Sequence, residues 1–147
     1  MKHAWLAIDP GLTTGWALLG DNGALLGTSV WGTSELKLSL DILVRQCHVT
    51  GYDVTVVIEQ MPYVGNASAL AKKLDAVRRD IMSIVKDTYE LKIVMVTPGE
   101  WKPSRVARTT QCPSWWNKTR VMVHQKDAIR MGRYVISIGA TYSEKEA

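Results

Sequence analysis

A chain of 147 residues with 46% hydrophobic content is the size of one domain built around one layered core. Its net charge of +4 suits a polyanionic partner but is also ordinary for a solvated surface, so charge alone selects no function. No stretch approaches the roughly 18 apolar residues of a membrane span, and the first residues run into an apolar strand without a signal-type segment, so one soluble, unexported domain over residues 1–147 is expected.

Taken in order, Ala4 to Ile8 is an apolar run that ends at Asp9-Pro10-Gly11, a buried strand breaking into a turn with a carboxylate at its end. Gly15 to Leu19 is a second strand. Asp21-Asn22-Gly23 joins it to a third that runs from Ala24 toward Trp31, and Asn-Gly favours a tight turn with positive φ at both positions. Ser34 is expected to cap a helix whose Leu36, Leu40, Leu43 and Val44 recur at helical spacing to about His48. Val54 to Ile58 is a β-branched run suited to a strand buried on both faces, and it delivers Glu59 at its end. The spacing of Leu70, Leu74, Val77 and Ile81 predicts a long helix from Ala67 to Lys86, and Leu91 to Val96 is a fifth strand. Pro98, Pro103 and Pro113 break the pattern from Thr97 to Asn117 into loop and short helical turns. A last helix begins between Val121 and Gln125 and runs to about Ile138, placing His124 and Asp127 within one turn of each other. The order β-β-β-α-β-α-β-loop-α is that of an α/β domain.

Two carboxylates, Asp9 and Glu59, thus end strands, and a third acid with a histidine opens the last helix. If the first and fourth strands are neighbours, their ends lie side by side and the closing helix packs across that edge. Clustered carboxylates raise one another's pKa unless a cation compensates. Phosphodiester hydrolysis uses such a cluster, because two Mg²⁺ ions about 3.5–4 Å apart activate water and neutralise phosphate charge. Each residue alone also fits an ordinary turn, cap or surface position. Cys47 and Cys112 lack metal-ligand spacing and are read as reduced thiols without a role.

The segments Ala7-Ile8-Asp9-Pro10-Gly11-Leu12-Thr13-Thr14-Gly15-Trp16-Ala17, Val57-Ile58-Glu59-Gln60 and His124-Gln125-Lys126-Asp127-Ala128 resemble, in order and approximate spacing, the three catalytic blocks of the RuvC-type Holliday junction resolvases. Asn66 to Leu74 is similar to that family's helix after the glutamate, which helps form its homodimer. The resemblance spans Ala4 to about Ile136. It implies an RNase H-like fold, a five-stranded mixed sheet flanked by helices, with two Mg²⁺ ions for which Mn²⁺ can substitute. The implied activity is that of a homodimeric endonuclease on branched DNA, four-way junctions above all, acting in recombination and repair in the cytoplasm of a bacterium or phage-infected host. By carry-over Asp9, Glu59 and Asp127 are metal ligands. His124 falls where the family has an acid or a histidine, so it ligates the second ion, orients water and phosphate, or is a surface residue. Tyr63, in a turn after Glu59, corresponds to an aromatic that stacks on bases at the open junction, and covering the core rim is its other reading.

The resemblance breaks down between Thr97 and Thr119, where bacterial members carry a Gly-rich, lysine-bearing stretch. Lys102 and Lys118 match its basic positions loosely. Together with Arg105, and with Lys72 on the long helix, they are candidate phosphate contacts, which position DNA without reading sequence. The pair Trp115-Trp116 fits core packing and base stacking equally. Alternatives to a junction resolvase are a relaxed flap or fork nuclease and a non-catalytic nucleic-acid-binding protein of the same fold.

Overall fold

The computed structural model describes residues 2–60 and 68–146, with side chains up to Gly139. Tyr63 and the expected helix start at Ala67 lie outside the described residues. Strands β1 (Lys2–Asp9), β2 (Thr13–Gly20) and β3 (Leu25–Gly32) are followed by α1 (Leu36–Val49), β4 (Tyr52–Glu59), α2 (Ala69–Met82) and β5 (Lys92–Val96). Two short helices, α3 (Pro98–Trp101) and α4 (Arg105–Thr109), precede a hairpin of β6 (Trp115–Trp116) and β7 (Thr119–Arg120), and α5 (Val123–Glu146) closes the chain.

Five strands form one sheet in the order β3-β2-β1-β4-β5, with β1, β2 and β3 antiparallel and β1, β4 and β5 parallel. Side chains alternate across a strand, and here the alternation sorts two cores. Leu6 and Ile8 of β1 and Val54, Val56 and Ile58 of β4 pack with α1 and α2 on one face. Ala7 and Val57 face the other way, toward Trp101 and the Ala128, Ile129 and Met131 of α5. Asp9 and Glu59 are the next residues in that second series, so the strand period aims both carboxylates at the α5 face.

Small residues set how closely α5 approaches. A Cβ on Gly132 would stand 2.5 Å from Leu19 Cδ1 and 3.1 Å from Ala7 Cβ. On the opposite face Trp16 stacks on Trp31, ring centres 5.2 Å apart. Among the described residues no helix is long and apolar enough to cross a membrane.

Several local expectations change. The cap of α1 is Glu35, whose Oε1 accepts from the Gly32 N–H at 2.8 Å, and not Ser34. In the β2–β3 turn only Gly23 has positive φ, at 82°, while the Asn22 side chain accepts from the Ala24 N–H, so the connection is a longer turn with a left-handed glycine. Ser68 caps α2, which gives way after Met82 to a π-helical turn, Ser83–Thr88, where the expected helix ran on unbroken. The β6–β7 hairpin replaces loop, and α5 extends to Glu146, past the expected end.

Gly132→Ala is expected to lower stability by about 1–3 kcal/mol, since an added methyl overpacks the α5 seam against both Leu19 and Ala7. Thermal unfolding checks this, and an unchanged midpoint would show that the seam can open without cost.

Candidate active site

β1 and β4 run parallel with Ile8 opposite Ile58, so Asp9 and Glu59 emerge together at the same sheet edge. Pro10 ends β1 and the Thr14 hydroxyl closes the following turn by donating to the Gly11 carbonyl at 3.2 Å. Both acids are buried, at 7% and 6% exposure.

The first turn of α5 is held over this edge by backbone contact. Gly15, opposite Asp9 in the β1–β2 ladder, lies so close that a Cβ would come within 2.4 Å of the His124 carbonyl carbon and 2.7 Å of the Gln125 nitrogen. Those are backbone atoms that no rotamer change can move, so the approach requires glycine. Buried Gln125 locks the same turn: its Oε1 accepts from the Met122 N–H at 2.7 Å, and its Nε2 donates to Thr28 Oγ1 at 3.1 Å. Thr28 in turn donates to the Trp16 carbonyl at 2.7 Å.

His124 is thereby brought to Asp9, with Nδ1 3.0 Å from Asp9 Oδ2. Its side chain is half exposed, leaving Nε2 as the second ring nitrogen. Asp127 sits one turn along, with Oδ1 3.5 Å from Arg130 Nη1.

Glu59 has a partner that sequence reasoning missed. The buried Trp101 indole N–H donates to Glu59 Oε2 at 2.8 Å. Trp101 is carried by α3, whose start is fixed by Glu100: its Oε1 accepts from the Thr97 N–H at 3.2 Å and from the Thr97 hydroxyl at 2.9 Å. That capping box, Thr-x-x-Glu with Pro at the first helical position, stands in the sequence as Thr97-Pro98-Gly99-Glu100 and is a local signal for the start of α3. No sequence signal links Trp101 to Glu59, since the two are paired only through the fold. The Lys102 ammonium lies 5.5 Å from the centre of the Trp101 ring.

Burial is the largest influence on Asp9 and pushes its pKa up to about 6 from 3.8. The His124 hydrogen bond and charge pull it down, while the negative fields of Glu59 and Asp127 push it further up. The three acids therefore share one electrostatic environment. Asp9 Oδ1 and Glu59 Oε1 have no hydrogen-bond partner among the described residues, and no three His, Cys, Asp or Glu side chains among them converge into a metal cage. Two adjacent oxygen donors with an uncompensated repulsion suit a hard cation such as Mg²⁺, which takes one or two carboxylates and fills its other positions with water and phosphate oxygens. Asp9 and Glu59 fit that role, and Asp127 adds its negative field to the same place.

Lys102, Arg105 and Lys118 are exposed on the segment between β5 and α5, and Lys72 is exposed on α2. A cleft of about 190 Å³ beside Glu59 is lined by Gln60, Arg78, Ile81 and Met95.

No protein-family profile matches the chain, and no curated protein matches its sequence. Solved structures match its fold. Thermus thermophilus RuvC in complex with Holliday junction substrate superposes with a TM-score of 0.70 at 13% identity, over 93% of this chain and 96% of that one. A second T. thermophilus RuvC structure gives 0.67 at 14% identity, over 94% and 96%. The chain has the RNase H-like fold in the form seen in RuvC, and its five-stranded mixed sheet flanked by helices is the architecture expected from sequence.

Asp9→Asn should stabilise the metal-free protein at neutral pH. Because Asp9 titrates higher folded than unfolded, the folded chain binds more protons between the two pKa values, and wild-type stability falls as pH rises through that window. The variant is expected to gain on the order of 1–3 kcal/mol at pH 7 in EDTA, with the gain fading toward pH 4. Unfolding at both pH values tests this, and a difference independent of pH would contradict it.

Proposed function

We propose that this protein is a structure-selective DNA endonuclease that hydrolyses phosphodiesters of branched DNA, four-way junctions in particular, with Mg²⁺ or Mn²⁺. One observation carries the reading: Asp9 and Glu59 emerge buried and adjacent at parallel strand ends, under a helix that brings His124 to Asp9, in the fold of a protein solved with a Holliday junction.

Asp9 and Glu59 would hold the cation, with Asp127 as a third ligand. Bound there, the metal would activate water and stabilise charge on the phosphate. Trp101 fixes the carboxylate plane of Glu59 by occupying Oε2, leaving Oε1 for the ion. His124 donates Nδ1–H to Asp9, which aligns the ring and leaves Nε2 to accept a proton from water or to bond a phosphate oxygen. Lys72, Lys102, Arg105 and Lys118 would contact backbone phosphates, and Tyr63 would stack near the branch point.

Asp9→Asn, Glu59→Gln and Asp127→Asn are each expected to lower Mg²⁺-dependent cleavage of a synthetic four-way junction by about a hundredfold or more while binding in EDTA persists, because shape is kept and charge is lost. Near-normal turnover in any one removes that residue from the site. Flap, fork, linear duplex and RNA–DNA hybrid substrates in the same assay set the selectivity. Wild type that binds junctions and cuts nothing would establish the non-catalytic reading.

Two opposed nicks need two sites, so a homodimer of about 33 kDa, twice the 16.4 kDa chain, is expected. Exposed Leu70 on α2 offers apolar surface for it. Sedimentation that finds only monomer, free and on junction DNA, would rule the dimer out.

A further inference from the structure

Packing does not account for the hairpin between α4 and α5. Trp115 pairs with Arg120 and Trp116 with Thr119, so Asn117 and Lys118 form the entire turn. Both have positive φ, 47° and 64°, as a type I′ turn demands. Asparagine tolerates that conformation, but the second position favours glycine, and a lysine there costs about 1 kcal/mol. Such strain persists at positions that serve a function.

The two tryptophans diverge. Trp116 turns toward the body and lines a groove of about 690 Å³ between the hairpin and the edge strand β3, with Trp16, Gly27 and Gln125. Trp115 turns away and is 65% exposed, leaving one of the largest apolar faces of any side chain in water. Arg120 is its cross-strand partner, Lys118 is in the turn, and both are exposed. From Thr97 to Lys126 the chain carries Lys102, Arg105, Arg108, Lys118, Arg120 and Lys126 against Glu100 as the one acid. The hairpin also has a fixed place relative to the carboxylates: the Val121 N–H donates to the Ser114 carbonyl at 2.9 Å, and the chain then enters α5, where His124 meets Asp9.

We propose that this hairpin is a nucleobase-stacking site, in which Trp115 stacks on an unpaired base of DNA beside the cleavage site while Lys118 and Arg120 hold the adjoining phosphates. A free aromatic face flanked by cations complements a nucleotide, whose base offers a π surface and whose phosphate lies a few bonds away. Paired bases in a duplex have both faces covered, so the site selects unpaired ones. It deepens the branched-DNA reading given above and rests on it.

The test is read in EDTA, where cleavage plays no part. Fluorescence anisotropy compares a duplex containing a short unpaired stretch with a fully paired duplex of the same length, and 2-aminopurine in the unpaired stretch reports stacking. Trp115→Ala is expected to weaken binding of the unpaired DNA by about five- to a hundredfold and to abolish the 2-aminopurine change, leaving the paired duplex within about twofold. Trp115→Phe should retain most of both signals. Lys118→Gln with Arg120→Gln should weaken both DNAs alike. Circular dichroism and thermal unfolding verify that the Ala variant folds. Equal loss on both DNAs, no loss on either, or loss in Phe equal to that in Ala would overturn the stacking site. Wild type that stacks on unpaired bases yet cuts no junction with Mg²⁺ would leave the hairpin standing and remove the nuclease reading. Junction cleavage with a Trp115→Ala variant indistinguishable in binding would do the reverse.

Discussion

Two carboxylates held side by side in low dielectric are the constraint around which the rest of the structure is arranged. The parallel register of β1 and β4 puts Asp9 and Glu59 at one edge, and the two-residue period of the strands turns both to one face. Each then needs a donor. His124 supplies one to Asp9 and Trp101 supplies one to Glu59, from segments far away in the chain. The α5 N-terminus adds its positive end to the same place, since the first helical turn abuts β2 at Gly15. Even so, burial above all, with the fields of Glu59 and Asp127, keeps the pKa of Asp9 raised.

Bringing a helix terminus that close imposes a demand on the sheet below it. Gly15 admits the backbone of His124 and Gln125, and Gly132, Ala7, Ala17 and Ala128 keep the rest of the seam thin. The opposite face is filled with bulk, by Trp16, Trp31, Leu36, Leu40 and Ile81. The two faces of one sheet are thus packed to different ends: large side chains supply hydrophobic burial beneath α1 and α2, while small ones beneath α5 trade some of it for reach toward the carboxylates.

The strand ends were legible because an apolar run that stops at an acid followed by Pro-Gly is a local pattern, and so were the helices with apolar residues at regular spacing. The placement of Asp9, Glu59 and the His124–Asp127 turn followed from those elements, but their reading as one site came from the resemblance to the three RuvC-type blocks. Trp101 was not legible as a site residue, since its bond to Glu59 joins positions forty-two apart and an indole in a Pro-broken segment has many uses. The β6–β7 hairpin escaped because its strands have two residues each, too short for any alternation, and its turn carries Asn-Lys where Asn-Gly would have announced it. Asp21-Asn22-Gly23 erred in the other direction: the Asn-Gly signal predicted a hairpin correctly and its turn type wrongly, because the Asn22 side chain bonds the Ala24 N–H and favours the longer connection.

On the proposed nuclease reading, the charges of this chain have a physical rationale. Lys102, Arg105, Arg108, Lys118 and Arg120 are exposed on the segment between β5 and α5, and the carboxylates of Asp9 and Glu59 are buried. For a pure binder the buried acids are a double cost, repelling phosphate and destabilising the fold through Asp9. Substituting the amide at position 9 would relieve both at once with almost no change in shape. A cation would reverse the balance by neutralising the carboxylates and giving phosphate a positive partner. Buried carboxylates in a chain that also exposes these cations therefore suit the proposed activity, in which metal and polyanion arrive together.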